Sequence, residues 1–368
     1  MNFVLGVAGS AKNTGKTTAI SSLILEAEKR GYNVGITSIG YDGEETDNIT
    51  GLPKPRLKLK KGTVVAVAEK CIKGSKAKIK ILETTNIKTP LGKVIIGLVE
   101  EDGLVVIAGP NKKKELKHIT DVIFKISNCS FLFVDGALSR IAPMTETKGM
   151  ILATGAARTT NIEKLAEETK KIIKLSEIEE IKDKALKAEL ITTNNILFLG
   201  NKFKKTLNEL PILTLETSKK IIKYLGSYSE IETIYIPGII TFDVFKYFLD
   251  NINVLKHKTF IIESGINLIL SNPSINRTYA VVKELMEKGL TLKSLKKTPL
   301  LAITINPFYP VFKFAGSYEP GYVDKKLLKE TISKNVDIPV FDVVSEGSSE
   351  MFEYIVNFLS RREILNEN

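Results

Sequence analysis

The chain has 368 residues, of which 43% are apolar and 26% charged, with a formal charge of +11. This balance lies near globular averages and excludes a disordered or low-complexity chain, and the length suffices for one large α/β domain or two ordinary ones. The lysines fall in short scattered runs such as Lys112 to Lys114, Lys204-Lys205 and Lys325-Lys326. Such scatter can steer an anionic nucleotide, but it lacks the concentrated basic stripe of a nucleic-acid-binding surface.

Cys71 and Cys129 are the only cysteines, and neither has a neighbouring histidine. They read as small buried hydrophobes and not as a metal or nucleophile cluster. The N-terminal apolar run Phe3 to Val7 lacks a basic leader, and no stretch approaches the ~18 uninterrupted apolar residues of a membrane span. A cytoplasmic protein without membrane association is the expectation.

In chain order, Asn2 to Ala8 predicts a buried strand and Val34 to Ser38 a second. Between them Ile20, Leu23, Ile24 and Ala27 recur at helical spacing, and Gly31 suits the left-handed residue that follows a helix. Residues 63–108 change character, with short apolar runs divided by turn formers such as Glu101-Asp102-Gly103, which predicts inserted antiparallel hairpins. A helix is predicted over Lys112 to Ile126, strands over Phe131 to Val134 and Met150 to Ala153, and an amphipathic helix over Asn161 to Leu175. Beyond residue 180 the apolar runs Ile196 to Leu199, Thr233 to Ile236, Thr259 to Ile262 and Leu300 to Ile305 alternate with helical stretches, notably Ser274 to Glu287. That alternation implies further parallel α/β structure.

The segment Gly9-Ser10-Ala11-Lys12-Asn13-Thr14-Gly15-Lys16-Thr17 follows the first strand and opens the first helix, the context that gives a phosphate-binding loop its chemistry. Glycines permit a tight turn, backbone N–H groups face the anion, and the helix N-terminus adds partial positive charge. Lys16 is placed to bridge the β- and γ-phosphates, Thr17 to bind Mg²⁺ through its hydroxyl, and Gly9, Ser10, Lys12, Asn13, Thr14, Gly15 and Thr18 to complete the nucleotide cradle. The expected fold is α/β: a mainly parallel P-loop sheet flanked by helices, with the antiparallel insertion at 63–108 and a C-terminal α/β extension or second domain. The expected boundaries are 1–180 for the nucleotide-binding domain and 181–368 for the C-terminal region.

Ser10 stands where the common loop begins with glycine, so the loop is one residue longer. In this it resembles dethiobiotin synthetase and the cobyrinate amidotransferase-type synthetases. Phe131-Leu132-Phe133-Val134-Asp135-Gly136-Ala137 is similar to that branch's apolar strand ending in an acid and Gly-Ala. The resemblance makes Asp135 a catalytic residue and ligand of Mg²⁺ or its water. Ser139 and Arg140 follow at once, without the glycine pair usual there. Gly40-Tyr41-Asp42-Gly43-Glu44-Glu45-Thr46-Asp47 stands where a synthetase carries a lysine for its carboxylate substrate. Asp42 and Asp47 could hold the metal, orient water, sense the γ-phosphate, or form an exposed acidic turn.

Gly51-Leu52-Pro53-Lys54-Pro55-Arg56-Leu57 is extended and basic, either a partner contact or a connector. Thr154 to Thr160 lies on the ligand edge of the sheet, with its threonines expected to cap the next helix. Asn306 and the Asp342-Val343-Val344-Ser345 turn each end a strand, where P-loop proteins often read the base. No Asn-Lys-x-Asp is present, so ATP is expected over GTP.

The longer loop, the acidic segment and the Pro-Lys-Pro stretch together resemble the P-loop component found with adenosylcobalamin-dependent lysine 5,6-aminomutase. That resemblance implies an ATPase acting on a protein partner, an aminomutase or a MutS-like ATPase, in reactivation. The alternatives are an ATP-dependent ligase or kinase acting on a small carboxylate, or a nucleotide-gated scaffold. The oligomeric state is not set by the sequence.

Overall fold

The computed structural model describes residues 2–40, 57–208, 212–313 and 318–367. The chain forms two compact units, Met1–Thr169 with Leu300–Asn368, and Lys170–Pro299. This differs from the expected division at 180/181. Leu300–Asn306 pairs with a strand of the first unit, so the chain returns to its first sheet at that point. Such long-range pairing leaves no mark on local periodicity.

The first unit is organised on one sheet of β1 (Phe3–Gly9), β2 (Val34–Ser38), β3 (Val64–Ala68), β4 (Lys78–Thr89), β5 (Gly92–Glu101), β6 (Phe131–Ala137), β7 (Gly149–Gly155), β8 (Leu300–Asn306) and β9 (Val340–Phe341). Their order across the sheet is β9-β8-β7-β1-β6-β2-β3-β5-β4. Neighbours from β9 to β3 run parallel. The sequence explains this: β1, β2, β3 and β7 are buried at every position, as strands covered on both faces must be. The edge is closed by β5 and β4 as an antiparallel hairpin. The stretch 63–108 is therefore not an insertion throughout, because its first strand, β3, continues the parallel sheet beside β2. Only the hairpin departs from parallel order, and its outer strand leaves Ile81 53% exposed.

The first unit holds α1 (Lys16–Lys29), α2 (Lys113–Ile126) and α4 (Ser349–Glu367), and α3 (Ile162–Ser176) begins in it. In α1, Ile20, Leu23, Ile24 and Ala27 are all buried, and Gly31 has φ +80°. The core under α1 joins Phe131 and Phe133 to Met351, Phe352 and Ile355 of α4. At the amino ends of the strands Phe131 lies 5.0 Å from Phe3, 5.0 Å from Tyr32 and 5.3 Å from Phe352 between ring centroids. Cys71 and Cys129 are buried, and burial pushes their thiols up to about 11 and about 12.

The second unit carries a sheet ordered 203–207, 196–200, 231–236, 259–262 and 291–294. The last three strands are parallel, with helices Phe242–Asp250 and Ile275–Glu287 in the connections between them. The first two form an antiparallel hairpin, turned at Lys202 with φ 58°. Among the described residues no helix is long and apolar enough to cross a membrane.

Candidate functional site

Between Gly9 at the end of β1 and Lys16 at the start of α1, the chain reverses through two left-handed residues, Asn13 at φ 62° and Gly15 at φ 86°. Asparagine tolerates that region better than most residues. At Gly15 glycine is needed twice over, since a Cβ would also lie 3.2 Å from Cβ of Asn306. The first turn of α1 carries no acidic residue to oppose the positive end of its dipole.

The loop's carbonyls are held by the surrounding protein. Thr14 Oγ1 donates to the Ala11 carbonyl at 2.9 Å, and Asn306 Nδ2 donates to the Asn13 carbonyl at 2.8 Å. Arg158 Nη1 donates to the Ser10 carbonyl at 2.7 Å. Ser10 is further fixed by its N–H on the Ala153 carbonyl, at 2.8 Å, and by its hydroxyl on Thr154 Oγ1, at 2.9 Å. A loop that cradles an anion must keep its carbonyl dipoles off the ligand, and bonds of this kind do so before any ligand arrives.

Lys16 and Asp135 meet at this loop. Lys16 Nζ lies 2.9 Å from Asp135 Oδ1, with both side chains largely covered at 17% and 16% exposure. Asp135 is in register with Val7 of β1 and Ser38 of β2. It sits within β6, which runs on to Ala137, and not at a strand end. Thr17 is half-buried on the first turn of α1, while Lys12 and Thr18 are exposed.

Thr17 offers a hydroxyl and Asp135 a carboxylate, the hard oxygen donors that suit Mg²⁺. Among the described residues no three His, Cys, Asp or Glu side chains gather to hold a metal. A magnesium ion bound mainly through phosphate oxygens and water needs no such cage.

Other expected residues are placed differently. Asn306 ends β8 as foreseen, but its amide faces the loop: besides the bond to Asn13, its Oδ1 accepts from the Phe308 N–H at 3.2 Å. It braces Asn13. Asp342 is likewise engaged locally, its Oδ1 accepting from the N–H groups of Val344 at 3.2 Å and Ser345 at 3.1 Å. The cap of α3 is Asn161, whose Oδ1 accepts from Lys164 N at 2.9 Å, and not one of the preceding threonines. Ser139 is exposed in a short 3₁₀ turn.

The entry to the acidic segment is fixed at the same sheet edge, with Gly40 N–H on the Pro110 carbonyl at 3.1 Å and Gly109 N–H on the Gly40 carbonyl at 3.1 Å. Asp42, Asp47 and the stretch Gly51 to Arg56 lie outside the described residues.

Arg158 is the residue that sequence reasoning passed over. Its Nε also pairs with Glu168 Oε2 on α3 at 2.7 Å, leaving the side chain 18% exposed. A lone arginine three residues beyond a strand carries no local signal, and only the pairing of β7 with β1 brings it to the loop.

No family model matches the sequence, and no curated protein matches it. Among solved structures the chain is similar to that of pNOB8 ParA bound to nonspecific DNA, with 10% identity, a TM-score of 0.26, and coverage of 78% of this chain and 98% of that one.

Proposed function

We propose that the protein is a P-loop ATPase that binds Mg-ATP in the loop 9–17 and couples hydrolysis to the remodelling or reactivation of a partner enzyme. The observation that carries the nucleotide reading is the meeting of Lys16 and Asp135 at 2.9 Å beside that loop. In this reading Lys16 leaves Asp135 for the β- and γ-phosphates, so that nucleotide entry exchanges one anion for another around the same amine. Gly9, Ser10, Asn13, Thr14 and Gly15 form the cradle, with Lys12 and Thr18 at its rim. Bound magnesium supplies charge neutralisation on the phosphates, and Thr17 and Asp135 are the residues that would hold it. Asp42 and Asp47 enter as the candidates for metal or water positioning on the segment that leaves Gly40.

The partner rests on the resemblance to the P-loop component associated with lysine 5,6-aminomutase, which points to an adenosylcobalamin-dependent aminomutase or a MutS-like ATPase. Replacing Lys16 by Ala is expected to slow ATP hydrolysis by roughly 10²–10³-fold, the cost of removing one preorganised charge from a phosphoryl-transfer site. Circular dichroism should show the fold unchanged. A folded Lys16→Ala protein that turns over ATP at the parent rate removes the P-loop reading. The coupling is tested separately by adding purified aminomutase or small carboxylic acids to the parent enzyme. Stimulation by a small acid only would replace the partner reading with that of a ligase or kinase.

A further inference from the structure

We infer that Arg158 is a positioning residue of the phosphate loop, and that it makes the one-residue-longer loop competent to bind a triphosphate. The inference rests on the nucleotide-binding reading above and assigns a role to a side chain outside the loop. Ser10, which stands where the common loop begins with glycine, brings a carbonyl to the entrance of the longer loop. A carbonyl dipole turned toward a triphosphate repels it, so the direction in which the Ser10 carbonyl is held bears on binding. Here the Ser10 carbonyl accepts from Arg158 Nη1 at 2.7 Å, and the Ser10 N–H is used by the Ala153 carbonyl at 2.8 Å.

Arg158 is itself fixed. Glu168 Oε2 accepts from its Nε at 2.7 Å, and the guanidinium is planar, so the direction of Nη1 follows from that pairing. The residue lies three positions beyond β7, whose own Ala153 and Thr154 hold the Ser10 N–H and hydroxyl. One strand and the turn after it thus hold three polar groups of Ser10. Ala11 and Asn13 are held by the loop's own Thr14 and by Asn306, so Arg158 is the charged member of the set. A hydrogen bond to a charged donor contributes more than a neutral one, on the order of 10- to 100-fold in an equilibrium constant.

The test measures binding of Mg-ATP, Mg-ADP and inorganic tripolyphosphate by calorimetry to the parent, Arg158→Ala, Arg158→Lys and Glu168→Gln proteins. Arg158→Ala is expected to weaken all three ligands by about 10- to 100-fold, because the defect lies in the cradle common to them. Arg158→Lys should recover part of the loss, since an ammonium can still donate to the Ser10 carbonyl but lacks the planar fork that Glu168 orients. Glu168→Gln should show a smaller loss than Arg158→Ala. Thermal unfolding without ligand controls for stability: a purely structural arginine would lower that midpoint and leave ligand affinity intact. A folded Arg158→Ala protein with parental affinity overturns the inference. Should that variant fail to fold, parental affinity in both Arg158→Lys and Glu168→Gln overturns it equally. A parent that binds none of the three ligands overturns the nucleotide reading itself, and the inference with it.

Discussion

The two ends of the parallel strands in the first unit are built from opposite materials. At the amino ends, Phe3 and Phe131 are in register, and with Tyr32 and Phe352 they form a contiguous aromatic cluster under α1 and α4. Toward the carboxyl ends, β1, β6 and β7 carry Gly9, Asp135 and Thr154, and Ser10, Thr14, Arg158 and Asn306 gather around them. The aromatic end gains its energy from area removed from water, a term that tolerates some rearrangement. The polar end gains little net stability, since each bond replaces one to water. What it gains is direction, because the loop's carbonyls are already committed. Stability and site preorganisation are therefore expected to separate under mutation.

The largest effect should come from the aromatic end. Phe131→Ala removes a fully buried ring, and a cost of about 3–5 kcal/mol is expected from lost transfer energy and the residual cavity. Denaturant unfolding measures it. Nucleotide affinity per folded molecule should not change, and a variant that loses affinity while keeping its stability would show that the two ends are not independent.

Asp135→Asn should act at the polar end in the opposite sense, leaving stability nearly untouched. Turnover and its magnesium dependence are expected to fall further than ATP affinity, since under the proposed reading Asp135 would hold magnesium, and such a ligand acts mainly on charge developing during phosphoryl transfer. Steady-state kinetics across a magnesium titration distinguishes the two quantities. Parental turnover with a parental titration would pass the metal role to Asp42 or Asp47.

The smallest effect concerns Glu26, at the aromatic end. The hydrogen bond from Arg30 Nε, at 3.0 Å, holds its carboxyl below the usual range, against the opposing effect of burial and with help from Ser349. Arg30 also lies 5.5 Å from the centre of the Phe352 ring and donates to Ser349 Oγ at 2.8 Å, so this carboxylate fixes the arginine that pins α4. For a depressed acid, the stabilising contribution is complete above the unfolded pKa, about 4.3, and is lost as pH falls through the lower folded value. Glu26→Gln should therefore be less stable than the parent above about pH 5. The gap should narrow as the solution is acidified below that point. A gap that stays constant from neutral to strongly acidic pH would remove the carboxylate from this account.

The sequence by itself determined the local units. A near-continuous apolar run, a glycine-containing loop and a helix-spaced apolar face specify strand, turn and helix from neighbouring residues, and β2 and α1 fall where that pattern places them. It also singled out Lys16 and Asp135 separately, because the loop and the acid after an apolar run each carry a recognisable spacing; their meeting at 2.9 Å is a finding of the structure.

Tertiary structure alone decided which strands lie side by side. Val64–Ala68 looks like the start of a hairpin in sequence, yet parallel pairing with β2 makes it part of the main sheet. Leu300–Asn306 is an ordinary buried strand by composition, and only its pairing with β7 brings it, much later in the sequence, to the loop. That return turns Asn306 into a brace of Asn13, as the pairing of β7 with β1 turns Arg158 into a clamp on Ser10. The physical reason is common to both: periodicity records which face of a strand is buried, whereas the neighbour that buries it is chosen by contacts far apart in the chain.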